Sequence, residues 1–182
     1  MVGFLSILLP VIGGISGVLV LRDTMKSKME LTIPFIVTLS LSSLYFRFSP
    51  MEIIFYSVFL ASVITDAHSG RVYNVFLYLM APSALYLFYE TRSYIAAVFM
   101  ILIPIYRSSR KLQFYFGEGD LWILLFISMA FGRNVFYTLF YASCLGLLFS
   151  LVRMKKEVYF LPFLFLGLLI SQVELINNLF GI

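Results

Sequence analysis

An all-α bundle that crosses a membrane about eight times is the fold class this sequence predicts, and three observations predict it. The chain is 62% hydrophobic and only 12% charged, against roughly 25% charged residues in ordinary soluble domains. Apolar segments recur along its whole length with short polar breaks, so residues 1–182 are read as one polytopic membrane domain. The basic residues, finally, gather on alternate breaks between segments.

Each element follows from that pattern. The first apolar segment, about 2–21, has no basic residues before it and no small-residue cleavage site after it, so it reads as a span rather than a signal peptide. The second, about 31–46, follows the polar stretch R-D-T-M-K-S-K-M-E. The third, about 51–66, is opened by Pro50, a residue suited to the first turn of a helix. The remaining segments cover about 74–89, 94–106, 120–131, 135–152 and 158–176. The fifth and sixth fall well short of the roughly 20 residues that cross a bilayer upright, so six spans with broken helices near residues 107–131 are the alternative.

Arg22, Lys26, Lys28, Arg71, Arg107, Arg110, Lys111, Arg153, Lys155 and Lys156 follow the odd-numbered segments, whereas Arg47, Arg92 and Arg133 follow the even ones. By the positive-inside rule the first set faces the cytoplasm, in a multi-pass protein of the cell membrane. The same placement explains the net charge of +4 without nucleic acid as a partner. One cysteine, Cys144, and one histidine, His68, are too few for a disulfide framework or a zinc cluster, so no metal or other cofactor is expected.

The chemistry is sought among three aspartates, Asp23, Asp66 and Asp120. Asp66 lies about 24 Å along a helix from Pro50, near the cytoplasmic edge of a hydrocarbon core of about 30 Å. An ionisable group at that depth is a candidate functional residue, and a carboxylate in the last helical turn also faces the negative end of the helix dipole. The structural alternative pairs Asp66 with Arg71 or with amides of the turn A-H-S-G-R. Asp120 stands in F-G-E-G-D, residues 116–120, before an apolar run, where it alternatively serves as a helix N-cap. Gly117 and Gly119 remove side chains from both approaches to its carboxyl, so another part of the chain can come close. Glu118 either meets a basic substrate or merely fills the variable motif position, and His68 is a solvated loop residue unless it tunes Asp66.

Asp66 and Asp120 are 54 residues apart, room for two short spans out and back, which returns both to one side of the membrane. Two carboxylates close together in a poorly solvated site share a proton. One then acts as base on a water and the other as acid toward a carbonyl, a pairing suited to amide hydrolysis.

Three stretches resemble the membrane aspartyl proteases of the G-x-G-D type, in particular the prepilin peptidases and archaeal preflagellin peptidases, also called class III signal peptidases. In T-D-A-H-S-G-R-V-Y-N, residues 65–74, the positions Asp66, Arg71, Val72 and Asn74 match the family's first motif. In F-G-E-G-D, Gly117, Gly119 and Asp120 match the second. Y-F-L-P-F-L-F-L-G, residues 159–167, is similar to the start of the family's last helix.

The resemblance implies an aspartic endopeptidase with Asp66 and Asp120 as catalytic pair. Gly117, Glu118, Gly119, Arg71 and Asn74 would shape the motif or bind substrate. It implies removal of the short basic leader from prepilin or preflagellin (archaellin) precursors at the cytoplasmic membrane face. Tyr73 and Trp122 depart from the family pattern, where proline and, in bacterial members, lysine are common. The short loop after the first segment lacks the cysteine-bearing domain of many bacterial members and looks like an archaeal peptidase. Presenilins and signal peptide peptidases fit less well, because this chain has Thr65 and L-P-F where they have tyrosine and Pro-Ala-Leu. The rival class is a transporter or assembly subunit that uses the same carboxylates as ion sites.

Overall fold

A computed structural model describes residues 2–20, 25–46, 48–70, 72–115, 117–153 and 159–180. Among them the chain forms nine helices and no strand: α1 Val2–Val20, α2 Met25–Tyr45, α3 Pro50–Ser69, α4 Asn74–Thr91, α5 Ile95–Ser108, α6 Arg110–Tyr115, α7 Glu118–Phe131, α8 Asn134–Arg153 and α9 Phe160–Phe180. Every predicted apolar segment falls on one helix. The six-residue α6 is the addition, and α2 begins at Met25, ahead of its apolar portion. Lysine, methionine and glutamate are good helix formers, so the backbone helix runs past the stretch that hydropathy marks.

The third helix shows how local sequence sets an element. Ser49 caps it through a reciprocal pair, its hydroxyl accepting the Glu52 N–H at 3.3 Å while Glu52 Oε2 accepts the Ser49 N–H at 2.6 Å. Pro50 takes the first helical position, where no N–H is needed. Gly70 ends the helix in the left-handed conformation, φ 63°, and its N–H closes on the Asp66 carbonyl at 2.7 Å.

α3 is the hub of the bundle, packed by α1, α2, α4 and α9, while α7 packs on α4 and α5, and α8 on α9. Its contact with α1 is close because Gly13 and Gly17 face it. A β-carbon at Gly13 would stand 2.2 Å from the Ser57 carbonyl oxygen. Small residues four apart are the usual means by which membrane helices approach each other. Deeper in the bundle Phe48 stacks on Tyr56 with centroids 4.7 Å apart, and Phe59 meets Phe165 edge-on at 5.5 Å, joining α3 to α9.

α3 and the Asn134–Val152 portion of α8 are each long and apolar enough to cross a bilayer. α8 exposes Phe140, Leu147 and Leu151 along its outer face, as a lipid-facing helix does. The 14-residue α5 and α7 reach only about 21 Å each.

Candidate active site

Asp66 occupies the last turn of α3 and is buried, 7% exposed. Its Oδ2 accepts the backbone N–H of Leu161 at 3.3 Å. Leu161 is the second residue of α9, so this N–H is one of the donors that a helix start leaves without an intrahelical partner. The positive end of α9 thereby offsets the negative end of α3 at the same carboxyl. The stretch 159–167 enters the site in this way, through its backbone. Arg71 lies outside the described residues.

Asp120 is the third residue of α7, not its N-cap. That place belongs to Gly117, with φ −77° and ψ 140°. From the third position the Asp120 carboxyl turns back toward the cap, where a β-carbon on Gly117 would stand 3.2 Å from its Oδ2. It is close enough to Asp66 for the two charges to act on each other.

The remaining motif glycine makes the meeting possible. A β-carbon on Gly119 would stand 2.9 Å from Val72 Cβ and 3.1 Å from its Cγ2. The first turn of α7 is thus pressed against the segment that leaves α3 after Asp66, with no room for a side chain between them.

Both aspartates open onto a cavity of about 720 Å³ whose wall also includes Gly70, Asn74, Tyr78, Arg107 and Glu118. The motif residues Asn74, Gly117, Glu118 and Gly119 all line it, whereas His68 does not. Leu77, Ala81, Trp122 and Phe126 give it an apolar side between α4 and α7.

Sequence reasoning missed Arg107 as a site residue, counting it only among the charges that orient the chain. Its guanidinium pairs with Glu118 through Nε at 3.0 Å and through Nη2, and Trp122 Nε1 donates to the same Oε1 at 3.4 Å. The one signal in the sequence was the order of the residues, a basic group at the end of α5 within a short polar break of the motif glutamate.

An all-helical membrane protein that gathers two acidic motifs on one cavity is the class the fold and site define. Residues 53–151, more than half of the chain, match the profile of the type IV leader peptidase family. The chain belongs to that family and is a peptidase. No curated protein and no solved structure matches it. The matched region contains both aspartate motifs and ends before Leu161, which reaches Asp66 from outside it.

Proposed function

We propose that this peptidase is of the aspartic type and forms a single polytopic domain. Asp66 and Asp120 are its acid–base pair, and it removes the short basic leader from prepilin or preflagellin precursors at the cytoplasmic membrane face. The observation that carries the proposal is the convergence of two aspartates, 54 residues apart in sequence and on different helices, on one cavity.

One carboxylate takes a proton from a water molecule, whose oxygen attacks the scissile carbonyl. The other carboxyl gives its proton to the carbonyl oxygen. Collapse of the tetrahedral adduct breaks the C–N bond, and the departing amine takes up a proton from the pair. The Leu161 amide holds the Asp66 carboxyl in position for this exchange. The transporter alternative gains nothing from the family match.

Incubation with a panel of prepilin and preflagellin precursors in detergent, read by mass spectrometry of the new N-terminus, tests the substrate class. A single cut between the basic leader and the apolar segment is the expected result. Cleavage of unrelated membrane peptides with every precursor left whole would overturn it.

Orientation has its own test on a Cys144→Ser background, which leaves each introduced cysteine as the chain's single thiol. Single cysteines near Lys28, Arg110 and Lys155 are expected to label only from the cytoplasmic side, and one near Arg133 only from outside. Labelling of the Arg110 position from outside would put the cavity on the wrong face for a leader that never leaves the cytoplasm.

A further inference from the structure

Resting on the leader-peptidase proposal, we infer that Glu118 is the subsite for a cationic residue of the precursor's leader, and that Arg107 fills this subsite in the empty enzyme as an internal stand-in. Glu118 lies between the two motif glycines on the cavity wall, and its Oε1 collects Arg107 Nε at 3.0 Å, Arg107 Nη2 and Trp122 Nε1 at 3.4 Å. The subsite therefore already holds a guanidinium, the group a leader arginine would bring, and a carboxylate also accepts charge-assisted hydrogen bonds from a lysine ammonium. Among the described residues no hydrogen bond to Glu118 Oε2 is found, so an arriving cation can engage that oxygen before Arg107 has left.

The exchange is cheap. The Arg107 and Glu118 side chains are 60% and 45% exposed, and ion pairs this open to water hold weakly. One cation replaces another at the carboxylate, and the guanidinium it displaces has only a short way to go into water.

The wall around the subsite fixes the direction in which a substrate lies. Along α7 the cavity is lined in turn by Glu118, Asp120, Trp122 and Phe126, passing from a carboxylate to a phenyl ring within about 12 Å. A precursor presents the same order: basic leader, scissile bond, apolar segment. The cation at Glu118 sets the bond at Asp120 and the apolar portion against Phe126.

Trp122, the only tryptophan in the chain, donates to Glu118 and so reports on the subsite without any need for cleavage. The experiment titrates a lysine-bearing leader-like hexapeptide, and its counterpart with norleucine in place of lysine, into the purified full chain while Trp122 emission is followed. The lysine peptide is expected to saturate at the lower concentration. Glu118→Gln is expected to raise its midpoint by about fivefold and to erase the preference over norleucine, while Arg107→Gln lowers the midpoint by about threefold. The double variant should match Glu118→Gln alone, because without the carboxylate there is nothing for Arg107 to occupy.

Equal midpoints for the two peptides in the unaltered protein, or a preference that survives Glu118→Gln, would overturn the subsite. Arg107→Gln weakening the lysine peptide as much as Glu118→Gln does would make Arg107 a clamp rather than a stand-in, and would overturn that part. The precursor panel decides the leader-peptidase proposal separately, so failure of one is visible without failure of the other.

Discussion

Asp66→Asn and Asp120→Asn are each expected to abolish precursor cleavage, with the double variant no worse than either single one. A positioned acid or base contributes about 10²- to 10⁴-fold in rate. Two that act on one water form a unit, so losing the first leaves little for the second to lose. The geometry also says why the protein should survive the change. An asparagine keeps an oxygen that accepts a hydrogen bond, so the Leu161 N–H, now bonded to Asp66, retains a partner after substitution, and asparagine at position 120 keeps the size and polarity of the aspartate.

Detergent-purified variants should therefore unfold near the temperature of the unaltered protein while their cleavage rate falls to background. Asp23→Asn removes an acid outside both motifs and is expected to cost little. Near-normal cleavage by folded Asp120→Asn protein would leave Asp120 no role beyond steadying the first turn of α7.

How much of this was legible in the sequence depended on whether a feature is written in side-chain types. The helices were, since apolar runs mark every one except α6, whose R-K-L-Q-F-Y carries no apolar run to mark it. α3 was legible at its start, where Pro50 takes the first helical position, but the helix runs on through Ala67, His68 and Ser69, polar or small residues that the apolar segment ending near 66 left in a turn. The start of α2 was not, because hydropathy reports what lies in lipid and not where the backbone helix begins.

In the site, the glycines beside Asp120 and the depth of Asp66 in an apolar span announce the two aspartates, and the structure brings them to one cavity. Two contributions stayed hidden for physical reasons. The amide of Leu161 holds Asp66, and a backbone donor leaves no trace in residue type. Arg107 reads as one more charge that orients the chain, and only the fold carries it to Glu118. The sequence-level worry that Asp66 faces the wrong end of its own helix dipole dissolves for a related reason, since the compensating end belongs to α9, 95 residues away.

Gly119→Ala is expected to lower cleavage by about 10²-fold in a protein that still folds, because a misplacement near 1 Å at a reacting centre costs about that much. Its new β-carbon would stand 2.9 Å from Val72 Cβ. Val72 cannot swing aside, since the atom in the way is the branch point next to its backbone and the side chain is packed against the core. The first turn of α7 must then back away from the segment that follows Asp66, carrying Asp120 with it. Stability should fall little, for alanine suits a helix better than glycine by up to about 1 kcal/mol, which offsets part of an overpacking cost of about 1–3 kcal/mol.

Two companions separate this account from a general intolerance of the motif. Val72→Gly removes the opposing β-carbon, so the double variant Gly119→Ala, Val72→Gly should recover activity that Gly119→Ala alone lacks. Gly117→Ala should be the milder change. Its β-carbon would meet the Asp120 Oδ2 at 3.2 Å, the far end of a side chain, from a backbone φ of −77° that alanine adopts freely. Full activity in Gly119→Ala would mean that α7 need not press against the segment after Asp66 for the two carboxyls to work together, and failure of Val72→Gly to restore any would place the damage somewhere other than this contact.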